Sequence, residues 1–321
     1  MMKLLFVCPD IDQSLGLFND LIGNERVCVK YIQFKKGLYR WIKKAIYTFQ
    51  NFTGIVFALP PFVYDYELNE YLKQGVDKIV IRSNVLEYIP VSFFQSLRKQ
   101  GYKCEILLLD SMDADNNTIK ATRKYLVKEL WDKIITFDML DAKHYGFEFC
   151  GFHYYSKHKL ESKDQNVSQG LYFIGYSRGW RFDMIHEISQ LMECHGIQSD
   201  LNVVIANKQE RELLNKSILH IRKKPISYGE VLEGIQKSNC ILEVLRKKQS
   251  GPSLRYFEAV VYNKKLLTNN PYIVKLPYYN PQYMKVFSSP EDIDIDWLKK
   301  EVEVDYHYDG GFSPLKLIDV I

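Results

Sequence analysis

The chain has 321 residues, enough for about two domains of ordinary size. Apolar residues make up 46% and charged residues 26%, which excludes wholesale disorder and collagen-like repetition, and a chain this long needs no disulfide or metal staple. A net charge of +4 falls short of the basic clustering of a nucleic-acid-binding domain but suits an anionic membrane surface or a phosphorylated substrate.

The six cysteines, Cys8, Cys28, Cys104, Cys150, Cys194 and Cys240, contain no CxxC spacing, so they read as reduced residues of a cytosolic protein rather than a zinc ribbon or redox motif. Met2 to Cys8 is too short for a signal-peptide core, and no apolar run approaches the roughly 18–20 residues that span a bilayer.

In chain order, Lys3-Leu-Leu-Phe-Val-Cys8 runs into Pro9-Asp10 as a buried parallel strand enters a loop. Similar runs follow at Gly54–Leu59, Lys78–Arg82, Cys104–Asp110 and Lys133–Asp138, with helical patterns at Val91–Gln100 and Thr118–Asp132. This is the alternation of a doubly wound parallel sheet. The polar stretch Glu161–Gln169 reads as a linker. The alternation then restarts with strands at Leu171–Gly175, Asp200–Ala206, Cys240–Val244 and Lys265–Thr268. Helices are expected at Arg181–His195, Ser227–Lys237 and Ser253–Tyr262. A last helix begins near Ser313-Pro314. The expectation is an α/β protein of two Rossmann-like αβα domains facing a central cleft, residues 1–160 and 161–321, with the last helix crossing back to the first domain.

Chemistry concentrates in Gln249-Ser250-Gly251-Pro252-Ser253-Leu254-Arg255-Tyr-Phe-Glu258. A strand precedes it, and the Gly-Pro-Ser turn opens a helix whose free N–H groups and dipole attract an anion. Ser253 supplies a hydroxyl and Arg255 a cation, while Glu258, further inside the helix, repels phosphate and suits sugar hydroxyls. A diphosphate site beside a ribose carboxylate is the pattern of a nucleotide sugar. The bland alternative is a helix cap and a solvated glutamate. A second turn, Phe173-Ile-Gly175-Tyr-Ser177-Arg178-Gly-Trp-Arg181, follows a strand, where Gly175 admits close backbone approach and Arg178 or Arg181 can clamp a phosphate.

Taken together, Tyr172-Phe-Ile-Gly-x-x-Arg178, Tyr228-x-x-Val-Leu-x-x-Ile-x-Lys-Ser238, Ile241-Leu-Glu243, Gln249-Ser-Gly-x-Ser-x-Arg-x-x-Glu258 and Lys265-Leu-Leu-Thr-Asn-Asn270 resemble bacterial surface-polysaccharide glycosyltransferases of the GT-B fold. Leu109-Asp110-Ser111, Ile135-Thr-Phe-Asp138-x-x-Asp141-Ala-Lys-x-Tyr-Gly146 and Tyr154-Tyr155 resemble their N-terminal half. The resemblance implies that Glu258 holds the nucleotide ribose, Gly251 to Arg255 the pyrophosphate, Arg178 a phosphate, and Ile226 to Tyr228 the base. It implies a metal-independent enzyme with no cofactor beyond its donor, a nucleotide-diphosphate sugar with UDP as the expected nucleotide. A lipid-linked or oligosaccharide acceptor at the inner face of the membrane goes with it. Many retaining members carry a second Glu eight residues before the ribose Glu; here only Gln249 lies near that place, nine residues before Glu258.

An inverting transferase needs a base at the cleft mouth. Asp110 and Asp113 lead the candidates, ahead of Asp10, Asp12 and Asp138; each also suits a cap or Asx-turn. His153 and His158 have no metal-ligand spacing, and Asp113-Ala-Asp115 lies in the wrong half to be a metal-binding DxD. Residues 34–50 form a basic amphipathic pattern with Lys36, Arg40, Lys43 and Lys44 on one face, fit either for peripheral membrane contact or for packing on the first sheet. Two other classes share these features: a nucleotide-sugar epimerase of the same architecture, which works without acceptor, and a non-catalytic nucleotide- or sugar-binding partner.

Overall fold

The computed structural model describes residues 3–10, 16–32, 67–87, 91–108, 110–113, 122–151, 154–159, 170–176, 179–205 and 219–319, with residues 45, 49 and 89. The strand expected at Gly54–Leu59, the linker at Glu161–Gln169, and Asp12, Asp115, Ser177 and Arg178 lie outside them, as does most of 34–50. The chain divides into two compact units, Met1–Ser156 with Phe312–Ile321, and Lys157–Gly311.

The first unit holds β1 (Leu4–Pro9), β2 (Val27–Ile32), α1 (Glu67–Leu72), β3 (Lys78–Arg82), α2 (Val91–Lys99), β4 (Lys103–Leu107), β5 (Lys133–Thr136), α3 (Met139–Tyr145) and β6 (Glu148–Phe149). The strands form one parallel sheet in the order β2-β1-β3-β4-β5-β6. Strands covered on both faces must be apolar throughout, and β1 and β3 are buried at every position. Lys78, Arg82 and Glu105 are buried charged exceptions, and Lys78 and Glu105 close an ion pair of 2.7 Å between neighbouring strands.

The helix expected at Thr118–Asp132 is not formed over its described part, which instead makes 3-10 turns at Arg123–Tyr125 and Lys128–Leu130 with Val127 extended between them. On an α-helix Tyr125, Leu126, Leu130 and Trp131 would spread over roughly 240° of the surface. The broken conformation buries Tyr125, Leu126 and Trp131 in the core and lets Trp131 Nε1 donate to Tyr125 O at 2.7 Å. After β5, Asp138 caps α3 by accepting from Leu140 N and Asp141 N, and the helix stops at Gly146, whose φ of 65° is left-handed. The chain end belongs to this unit: Tyr155 N donates to Phe312 O at 2.8 Å, and Ser313 Oγ to Asp20 Oδ2 at 2.5 Å. A short helix, numbered α8 below, occupies Lys316–Asp319.

The second unit holds β7 (Gly170–Tyr176), α4 (Trp180–Cys194), β8 (Gln198–Val204), β9 (His220–Arg222), α5 (Tyr228–Lys237), β10 (Cys240–Glu243), α6 (Leu254–Val261), β11 (Lys265–Thr268), β12 (Met284–Val286) and α7 (Ile295–Lys299), ahead of α8. Its parallel sheet runs β12-β11-β10-β7-β8-β9. Strand order therefore reverses between β7 and β10, and ligands of such sheets bind beyond the strand C-termini at that reversal. Ser227 starts α5 with a reciprocal capping box to Glu230. α5 approaches β7 closely because Gly234 lies against the Tyr172 ring: an added Cβ would come within 2.5 Å of Tyr172 Cζ. α6 is buried from Tyr256 to Val261. No helix among the described residues is long and apolar enough to cross a membrane.

Candidate functional site

The candidate site lies in the second unit, on the segments that leave β7 and β10. β10 ends in Glu243, a fully buried carboxylate. Ser253 N and Ser253 Oγ each donate to its Oε1 at 2.7 Å, and Thr268 Oγ1 donates to its Oε2 at 2.6 Å. Glu243 thus ties the start of α6 to the end of β11, and burial pushes its carboxyl above the ordinary range against those donors. Ser253 caps α6 by accepting from Arg255 N at 3.3 Å. Its hydroxyl is therefore engaged within the protein on both sides.

The loop between β10 and α6 is braced from inside. Gln249 Nε2 donates to Gly251 O at 2.9 Å, so the side chain weighed as a stand-in for a second glutamate secures its own turn. Ser250, Gly251 and Pro252 are buried, Leu254 is half-buried, and Asn270 Nδ2 donates to Ser250 O at 3.1 Å.

The segments leaving β7 and β10 carry three arginines, Arg181, Arg246 and Arg255. Arg181, at the start of α4, lies on the Phe173 ring and donates to Tyr176 O at 2.6 Å, next to Gly175. Desolvation first, then repulsion from Arg246 and Arg255, holds Arg181 down to about 10, with Glu243 opposing. Like charges are kept within electrostatic reach of one another only at a cost, which a polyvalent anion repays.

Glu258, one turn into α6, is 0% exposed. Tyr228 Oη donates to its Oε1 at 3.0 Å, and Arg255 Nη1 lies 2.9 Å from its Oε2. Burial raises the Glu258 carboxyl to about 7, opposed by Arg255 and Tyr228 and assisted by Glu243. Tyr228 is buried, and the His158 ring meets it edge-on at 5.2 Å. Ile226, just before the α5 cap, is half-buried.

The structure thus places Gly175, Gln249 to Arg255 and Glu258 around one strand-order reversal, with Ile226 and Tyr228 at the start of α5. Glu243 and Arg246 join the site although the motif reading assigned them no role. The signal for Glu243 was a carboxylate closing an otherwise apolar strand.

In the first unit, Asp113 Oδ1 is engaged by Arg123 Nη2 at 2.5 Å and by Tyr145 Oη at 3.2 Å, at the surface. Asp110 is half-buried. Asp138 serves as the α3 cap and accepts from Ser111 Oγ. Asp141, part of the motif but given no role from sequence, is buried, accepts from Met112 N at 2.8 Å, and is raised to about 7 by desolvation and then by Asp138 and Asp113. No group of His, Cys, Asp or Glu among the described residues is arranged to hold a metal ion.

No family model matches the chain, and no curated protein matches its sequence. Solved structures do. S. aureus MnaA, solved with UDP, is 12% identical over 99% of this chain and 95% of its own, with a TM-score of 0.55. The chain has the GT-B fold. Other GT-B structures similar to it are a Neisseria meningitidis UDP-GlcNAc 2-epimerase bound to UDP-GlcNAc (11%, 99% of each chain, 0.51) and a Rickettsia africae glycosyltransferase (12%, 99% and 97%, 0.52).

Proposed function

We propose that the chain is a glycosyltransferase that holds a nucleoside-diphosphate sugar in its C-terminal unit and passes the sugar to a glycan or lipid-linked acceptor of a bacterial surface polysaccharide. The observation that carries this reading is the set of cations on the segments leaving β7 and β10, Arg181, Arg246 and Arg255, with Arg255 2.9 Å from the buried Glu258 one helical turn further on. The guanidiniums and the first turn of α6 take the diphosphate and stabilise it as leaving group. Glu258 accepts from the ribose hydroxyls. UDP is the assigned nucleotide, in keeping with neighbours solved with UDP and UDP-GlcNAc. Asp110 or Asp113 takes the proton of the acceptor hydroxyl.

An acceptor-free epimerase is the second reading. Epimerases share the fold, and the buried Asp141, titrating near neutrality, is the kind of group that exchanges a proton with a sugar carbon.

Calorimetric titration of UDP, GDP, CMP and ADP into the wild type and Glu258→Ala tests both. Micromolar binding of one nucleotide, weakened about tenfold (~1.4 kcal/mol) by the substitution, is expected. Turnover of the matching sugar donor only with acceptor supports the transferase, and interconversion without acceptor supports the epimerase. Absence of binding by every nucleotide refutes both.

A further inference from the structure

Arg255 and Glu258 face each other in a way that leaves both incomplete. Glu258 Oε2 lies 2.9 Å from Arg255 Nη1, yet both atoms are buried and neither has a hydrogen bond. The Tyr172 hydroxyl is a third buried polar atom without a hydrogen-bond partner, within electrostatic reach of Arg255 and Glu258. Arg255 and Glu258 thus spend their charges on each other without the directed hydrogen bonds that buried polar atoms normally make, so a ligand that offers each a better-directed partner competes with the pair. The other oxygens nearby are occupied: Glu258 Oε1 by Tyr228, and the Glu243 carboxylate by Ser253 and Thr268. Arg181 lies close enough to Arg255 to feel its charge, so an anion lodged beside Arg181 also draws the Arg255 guanidinium.

We propose that Arg255 and Glu258 form a latch that a diphosphate opens: the anion takes the guanidinium, and the released Glu258 oxygen accepts the hydroxyls of a vicinal diol on the same ligand. This rests on the nucleotide reading above and extends it, because the site then selects ligands that carry both groups. Anion and diol bind with positive coupling, and each tightens the other by the same factor.

The test separates the two groups. The 5′-deoxynucleoside of whichever diphosphate binds (5′-deoxyuridine for UDP) lacks the oxygen that would collide with a phosphate. It is titrated by calorimetry with and without saturating inorganic pyrophosphate. Pyrophosphate is expected to tighten the nucleoside about fivefold or more, and the nucleoside to tighten pyrophosphate equally. Arg255→Met keeps the side-chain stem without its charge. It is expected to bind the nucleoside more tightly than the wild type does in the absence of pyrophosphate. A guanidinium that only binds phosphate leaves nucleoside affinity unchanged, and that outcome overturns the latch. If the variant does not fold, the wild-type titrations decide, since independent or antagonistic binding of the two fragments also overturns it. Intact diphosphate that binds while its fragments show no coupling refutes the latch alone. No nucleotide binding at all refutes the reading beneath it.

Discussion

Gly234→Ala turns an ordinary helix-stabilising change into a destabilising one. In a helix interior, alanine is favoured over glycine by about 1 kcal/mol. Gly234 lies inside α5, and its missing Cβ is where Tyr172 of β7 sits: the added carbon would be 2.5 Å from Cζ and 2.8 Å from the hydroxyl oxygen. Tyr172 is 2% exposed, and its strand pairs with β10 on one side and β8 on the other, so the ring has no ready path away. Overpacking costs about 1–3 kcal/mol, and two ring carbons and the hydroxyl oxygen inside contact distance place this site at the upper end. The net expectation is a loss of about 1–2 kcal/mol after the propensity gain. Urea titration reads it as a lower midpoint with an unchanged slope. Tyr172→Leu, costly alone, is expected to absorb most of the Gly234→Ala penalty in the double variant, and displacement of Tyr172 is expected to weaken nucleotide binding. If Gly234→Ala is as stable as the wild type or more so, the close approach of α5 to β7 is wrong.

Two further outcomes follow from the same geometry. Glu258 is raised from an ordinary 4.5 to about 7, so its protonated form is favoured by folding. Its contribution to stability is full below about 4.5 and is lost as pH rises through 7, whereas diol binding needs the carboxylate and strengthens over the same interval. Glu258→Gln is expected to flatten both profiles relative to the wild type, in calorimetry of the nucleoside and in denaturation series from pH 5 to 8. A nucleoside affinity equal at pH 5.5 and 8 in the wild type contradicts the assignment. Lys265, buried at the start of β11, donates through Nζ to Trp297 O, Leu298 O and Lys300 O at 2.5–3.0 Å and lies 4.4 Å from the Trp297 ring centroid. Lys265→Met strands those carbonyls and is expected to cost about 1–3 kcal/mol, read as a lower melting temperature with nucleotide affinity unchanged.

The strands that sequence reads best are those buried on both faces. Lys78–Arg82 and Lys265–Thr268 are found at the residues expected, because a parallel strand between two helical layers leaves a continuous apolar run. β2, β6, β9 and β12 escape, being half-exposed or two to three residues long at or near sheet edges, where neither a run nor an alternation develops. The site divides the same way. Gly251-Pro252-Ser253 announces a helix start because the turn chemistry is local. The second carboxylate does not, because proximity in space is not spacing in sequence. Gln249 lies nine residues from Glu258 and turns into its own loop. Glu243 lies fifteen away, yet its charge raises the Glu258 carboxyl, since the loop returns α6 to the end of β10. The inward turn of Tyr228, which the resemblance assigned to the base, follows instead from helical phase. With Ser227 as cap, Tyr228 shares the 3.6-residue phase of Val231, Leu232 and Ile235, all of them buried. The side chain that holds Glu258 is therefore set by the same periodicity that packs α5 on its sheet. A change that rotates this helix should move the carboxylate with it.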